Sequence, residues 1–272
     1  MIASQVLDLS TSSWTTVDPV AYDGASAAMY RPGKVVKSGT SATSDPPYVP
    51  ASANTYVLDM TQPAPAWRQV APMAFPRAYH NLTLLPDGSV IVTGGGEVTD
   101  QFNQSRAVYE AEIWSPVTET WTTMARMQVP RLYHSTGLLL PDGRVLVAGS
   151  GRFAGTAVDD QFSAEIFSPP YLFKGARPTI TSSPTTISAG TNFSVETPDA
   201  ARIAQVSLLR LGSVTHAFNQ DQCFLELTFQ QISGGLNVQA PANANLAPPG
   251  YYMLFLVDAN GVPSVAAFVH LL

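Results

Sequence analysis

The chain is short of cysteine, of charge and of long apolar runs. A single cysteine, Cys223, stands among 272 residues, which excludes an internal disulfide and any cysteine-rich metal site. Charged residues make up 12% of the chain, against roughly a quarter in an average soluble protein. Lys and Arg number 14 against 20 Asp and Glu, a net charge of −6. No basic stripe is present to replace phosphate counterions, so no nucleic-acid partner is expected. No run of 18 apolar residues suggests a membrane span. The opening MIASQVLDLSTSSW has neither a basic start nor a long apolar stretch and does not read as a signal peptide. Helical periodicity is lacking throughout, which leaves an all-β chain.

What is present is repetition. Gly33, Gly88 and Gly143 fall 55 residues apart, in AAMYRPGKVVKSG, LTLLPDGSVIVTGG and GLLLPDGRVLVAGSG. Pro-Asp-Gly between apolar runs is a tight-hairpin signal, because glycine accepts the positive φ that such a turn requires. Trp14, Trp67 and Trp121 recur at spacings of 53 and 54. Further strand-like runs lie between the two markers, TYVLDM, VYEAEIWSP and FSAEIFSPPYL, giving about four short strands per period. Four strands in a period near 50 is the kelch type of β-propeller blade. The tryptophans then read as packing residues, not as a sugar-stacking platform.

Residues 1–19 read as outer strands of one blade, 20–73 and 74–128 as two complete blades, and 129–175 as most of another. Propellers close with four to eight blades, and open blades leave apolar flanks uncovered. The expectation is the C-terminal half of a kelch propeller over residues 1–175, belonging to a longer protein. After Pro169-Pro170 the period stops. Residues 176–272 carry short alternating runs at the spacing of an immunoglobulin-like β-sandwich. The expected fold is thus all-β: a partial kelch-type propeller, about three blades plus outer strands of another, followed by an immunoglobulin-like (early-set) sandwich.

Two copies of one stretch raise the functional question: PRAYHNLTLLPDG from Pro76 and PRLYHSTGLLLPDG from Pro130. Each places Tyr-His before a strand, at Tyr79-His80 and Tyr133-His134. On periodicity alone the pair is a blade feature that needs no metal. RLYHSTGLLLPDGRV at 131–145, AEIFSPPYL at 164–172, SVTHAFNQDQ at 213–222 and APPGYYMLFLVDANGVPSVA at 247–266, taken in order along nearly the whole chain, resemble the galactose oxidase and glyoxal oxidase copper-radical oxidases.

That resemblance implies a single Cu(II) ion with Tyr133 as axial ligand and proton acceptor, and His134 and His216 as nitrogen ligands, His216 riding on a hairpin inserted into the propeller channel. Copper(II) favours imidazole nitrogens with one weak axial bond, which suits these residue types. It also implies oxidation of a small alcohol, aldehyde or sugar by O2, with H2O2 as by-product, in a secreted protein. Tyr79 and His80 would stand near the substrate rim, with packing as the competing reading. The family's cross-linked cysteine–tyrosine radical has no counterpart, since Cys223 lies just past the His216 hairpin. The chain is therefore expected to be inactive without N-terminal blades, its expected partner. A non-catalytic propeller and sandwich module for binding or structural roles stays open beside the oxidase. Glu97, Asp100 and Asp159-Asp160 read as solvated loop acids, and His270 as structural. The sequons at Asn81, Asn103 and Asn192 read as chance.

Overall fold

The computed structural model describes residues 4–20, 22–41, 46–151 and 160–272. Among these, helix is limited to single 3-10 turns at Gln104–Arg106, Pro170–Phe173 and Ala200–Arg202. Everything else regular is strand.

Four sheets follow one another along residues 4–167. The first pairs β1 (Ser4–Asp8) with β2 (Ser13–Asp18). The second orders β3 (Ser26–Arg31), β4 (Lys34–Ser38), β5 (Thr55–Asp59) and β6 (Arg68–Val70) side by side. The third repeats that plan with β7 (Asn81–Leu84), β8 (Val90–Thr93), β9 (Glu110–Ser115) and β10 (Thr120–Arg126). The fourth holds β11 (Ser135–Leu139), β12 (Val145–Gly149) and β13 (Ala164–Phe167). The expected hairpins close where the glycines predict, with φ of 84° at Gly88 and 81° at Gly143. In each, the aspartate before the glycine accepts a backbone N–H two residues on, at 3.0 Å from Ser89 and from Arg144.

Sheets are joined by periodic ties. Trp67 donates from Nε1 to Ser4 Oγ at 2.7 Å, and Trp121 from Nε1 to Thr55 Oγ1 at 2.9 Å. Each indole thus reaches back to the preceding sheet. Trp14 departs from the packing role expected of it: it is 62% exposed, because no sheet covers its face among the described residues. Within sheets the tie is an ion pair. Arg77 meets Glu112 with both side chains fully buried, and Arg131 meets Glu165 with only the arginine buried.

The C-terminal part is a sandwich. Its strands are β14 (Thr186–Ile187), β15 (Asn192–Glu196), β16 (Ile203–Arg210), β17 (Val214–Thr215), β18 (Phe218–Asn219), β19 (Phe224–Leu227), β20 (Phe229–Ile232), β21 (Gly235–Gln239), β22 (Gly250–Asp258) and β23 (Ala267–Leu271). One layer has the order β14-β23-β22-β16-β19, the other β15-β21-β20, while β17 and β18 form a separate hairpin.

Strand β22 is apolar on both faces for a reason. Tyr252, Leu254 and Leu256 enter the sandwich core with Leu208, Val195 and Leu236. Met253, Phe255 and Val257 pack instead against Val36, Leu82, Leu84, Val90 and Trp114 of the preceding sheets. At about 25 cal/mol per Å2 of buried apolar surface, this shared core fixes the sandwich on the earlier sheets. From that base the β17–β18 hairpin reaches strands β11, β7 and β3. Asn81 is 2% exposed, so its sequon is not available for glycosylation.

Candidate metal centre

Tyr133 and His134 follow the buried Arg131 and precede β11. His216 sits at the tip of the β17–β18 hairpin. The fold brings the three rings together. Tyr133 and His134 stack at 3.9 Å between centroids, Tyr133 and His216 meet edge-on at 5.5 Å, and His134 and His216 edge-on at 5.2 Å. Tyr79 adds its ring to Tyr133 at 5.3 Å, and Phe102, which sequence reasoning missed, does so at 6.1 Å. Both histidines are exposed and Tyr133 is half-buried, so the cluster opens to solvent.

The backbone here is unusual. Tyr79, His134, His216 and Ala217 have φ of 59°, 62°, 54° and 62°, in the left-handed region that non-glycine residues rarely enter. Such conformations persist only where surrounding structure enforces them, and they gather at functional sites. At the hairpin tip, successive left-handed residues make the tight turn that thrusts His216 forward.

Each imidazole has one nitrogen occupied. His134 Nδ1 lies 2.9 Å from the Gly151 carbonyl, and His216 Nδ1 lies 2.5 Å from Thr215 Oγ1. A hydrogen bond at Nδ1 leaves Nε2 available to a metal, the arrangement that orients metal-binding histidines. Among the described residues, no three His, Cys, Asp or Glu side chains gather to hold a metal. The third ring of the cluster is the phenol of Tyr133. Two imidazoles and one phenol are a donor set that fits Cu(II).

The remaining candidates separate clearly. His80 is fully buried, with Nε2 3.0 Å from Ser38 Oγ and Nδ1 without a partner. Burial, with Arg77 beside it, pulls its pKa down to about 3. A ring so enclosed cannot line a rim, which corrects that expectation. Tyr79, 4% exposed, presents its ring to Tyr133 from inside, and burial followed by Tyr133 pushes its pKa up to about 12. Cys223 belongs to the sandwich core, where burial pushes its thiol up to about 11. Glu97 pairs with Arg106 at 2.8 Å, and Asp100 Oδ1 accepts the Phe102 N–H. Asp159 lies outside the described residues. His270 stacks on Tyr251 across strands at 4.6 Å.

Two further residues explain why the hairpin sits where it does. Asn219 Oδ1 accepts the Ser213 N–H at 2.9 Å and the Gln222 N–H at 3.2 Å. Gln222 Nε2 donates to the Leu82 carbonyl at 2.8 Å, while its Oε1 accepts the Leu84 N–H at 2.9 Å. Both residues stand in the quoted SVTHAFNQDQ stretch, but polar residues beside a hairpin carry no one-dimensional mark of what they hold.

Residues 28–171 match the family described as glyoxal oxidase N-terminus, and residues 177–271 match the galactose oxidase-like early set domain. The chain belongs to the galactose oxidase and glyoxal oxidase family. Galactose oxidase from Gibberella zeae is 34% identical over 229 residues, 80% of this chain and 33% of that protein. Aldehyde oxidase GLOX from Vitis pseudoreticulata is 34% identical over 247 residues, 82% of this chain and 46% of that one. A fungal alcohol oxidase of the AA5 family, solved in complex with copper, superposes with a TM-score of 0.87 at 28% identity, covering 95% of this chain and 57% of that one. This galactose oxidase-type chain therefore spans between a third and somewhat over half the length of these relatives.

Proposed function

We propose that this chain supplies the Tyr133, His134 and His216 part of a copper site in an oxidase of primary alcohols or aldehydes. One observation carries the reading. Residues far apart in sequence, on a propeller-type sheet and on a sandwich hairpin, meet ring to ring with Nε2 of both imidazoles left to coordinate. The fungal alcohol oxidase solved with copper supports the choice of metal.

Copper, when bound, would supply a Lewis acid and a one-electron acceptor. The chain's own residues do the rest. His134 and His216 would hold the ion at Nε2, each ring oriented by its Nδ1 hydrogen bond. Tyr133, once its phenol has given up its own proton, would accept the hydroxyl proton of a bound alcohol at the phenolate oxygen. Tyr79 closes the inner side of Tyr133 against water.

Overall, dioxygen would be the oxidant and hydrogen peroxide the by-product. A two-electron oxidation needs a second redox centre beside the metal. In this reading a cross-linked cysteine–tyrosine pair comes from polypeptide outside these residues, since the one cysteine, Cys223, is buried in the sandwich core. The reading divides the chain into a kelch-type propeller part over 1–175 and a sandwich over 176–272; what supports a boundary there is that one family match ends at residue 171 and the other begins at 177. A low charge content and many Ser and Thr residues favour an extracellular setting.

The test is Cu(II) titration followed by electron paramagnetic resonance. Copper affinity is expected to fall when His134 or His216 becomes Ala, and unchanged affinity in both variants would overturn the assignment. The chain alone, loaded with copper and given galactose or methylglyoxal, is expected to release no peroxide. Joined to a family N-terminal half it should do so; silence there would favour a non-catalytic propeller and sandwich module.

A further inference from the structure

The copper reading leaves open what places His216. Its hairpin is only two residues deep on each arm, Val214–Thr215 against Phe218–Asn219. Its tip residues hold strained left-handed backbone, with His216 exposed. So short an isolated hairpin is not stable in water. Something at its base must hold it.

The base is built from amides. Asn219 Oδ1 closes the two arms by accepting N–H groups from Ser213 and Gln222. Gly212 makes this possible: a side chain there would collide with Asn219 Nδ2, at 2.5 Å, and with Leu138 of β11. Gln222 then presents its amide to β7, giving a donor to the Leu82 carbonyl and taking the Leu84 N–H. It pairs with the strand as a neighbouring backbone would. Its side chain is buried, so neither β7 group has water as an alternative partner, and loss of the amide would strand both.

We propose that Gln222, braced by Asn219, is the positioning residue that seats the His216 hairpin on β7 and so sets the His216 ring beside Tyr133 and His134. This rests on the copper reading for its functional weight, but not for its geometry. The carboxamide suits the task because it offers one donor and one acceptor on a single planar group. The ring-to-ring distances at the site then depend on a contact that touches neither metal nor substrate.

The experiment has two arms on the full chain. In the first, Cu(II) affinity is measured for the parent, Gln222→Leu, His216→Ala and the double variant. Outer-sphere substitutions typically cost about tenfold to a hundredfold in metal affinity, and that loss is expected for Gln222→Leu. In the His216→Ala background the same substitution should change affinity by less than about twofold, because the ring it places is gone. Equal losses in both backgrounds, or none in the parent, would overturn the proposal.

The second arm needs no copper. Nuclear Overhauser contacts from the His216 ring to the Tyr133 and His134 rings should be present in the parent and lost in Gln222→Leu. If the parent binds no copper, the copper reading fails, and these contacts alone decide the positioning role: their persistence in the variant sinks it. Should Gln222→Leu not fold, Gln222→Glu keeps the acceptor for Leu84 and removes the donor to Leu82. It carries both arms with a smaller expected change, and full parental behaviour in both would overturn the proposal.

Discussion

Tyr79-His80 and Tyr133-His134 are the same two letters in successive sheets, yet they do opposite things. His80 is sealed inside against Ser38, while His134 faces solvent beside His216. The cause is one residue. Arg77 and Arg131 occupy matching places, each donating from Nη1 to the carbonyl of the equivalent glycine, Gly94 or Gly149. After the arginine the second copy carries an additional residue, Leu132. Beyond it the backbone matches at an offset of 55, not 54. Ala78 exchanges hydrogen bonds with Gly96, and Tyr133 O accepts the Gly151 N–H, so Tyr133 stands where Ala78 stands. His134 stands where Tyr79 stands, and both are left-handed. Ser135 takes the buried place of His80.

The inserted leucine is buried, at 2% exposure, so the slip is packed in place. An alanine position thereby becomes a tyrosine, and a left-handed position facing the hairpin becomes a histidine. The two sites differ by register, not by composition.

The largest expected effect lies beneath both motifs. Glu112→Ala leaves Arg77 buried without its carboxylate and should cost about 3–5 kcal/mol. Glu165→Ala, where the acid is partly exposed, should cost clearly less; denaturant melts of both variants compare them. Next in size is deletion of Leu132, which restores the first copy's register. It should turn His134 away from His216 and weaken Cu(II) binding by about a hundredfold, roughly 2.7 kcal/mol. Titration measures this, and parental affinity would refute the register account.

An acid titration sharpens the contrast. The folded pKa of His80, near 3, lies below its unfolded value of about 6.5. As pH falls through that window the unfolded chain takes up a proton that the folded one refuses. Stability is therefore lost from about pH 6.5 down towards 3, by about 2 kcal/mol at pH 5. Melts of His80→Gln should lose this component, whereas His134→Gln should keep it. The smallest stability change belongs to His134→Ala: within about 0.5 kcal/mol, as for other exposed positions, while copper affinity drops.

Much of this architecture was legible in the residues. The Pro-Asp-Gly turns gave the hairpins, and the doubled period gave the repeating sheets. The short alternating runs after residue 176 gave the sandwich, but not that GYYMLFLVD is buried on both faces, which depends on the sheets packed beneath it. The site was legible only through motif resemblance, which paired Tyr79 with Tyr133 letter by letter. Counting back from the turn glycines instead of aligning the letters would have revealed the slip, since Gly88 and Gly143 each stand nine residues past the left-handed residue. Burial of His80 was not legible, because it depends on Ser38 and Arg77 closing around it. Nor were the roles of Asn219 and Gln222, whose partners lie across the fold. Arg77-Glu112 and Arg131-Glu165 were present in both copies of the repeat, but a pairing between them shows only once the strands are laid side by side.

Strand β22 gives alternate residues to two hydrophobic interiors at once. Neither interior can be dismantled without exposing one flank of the other. Heating should therefore give a single calorimetric transition, and a protease cut near residue 176 should not release a sandwich that survives by itself. Any recombination that exchanged this sandwich for another would have to match Met253, Phe255 and Val257 to the sheet surfaces beneath. The surface that carries the His216 hairpin is thus inherited with its mate.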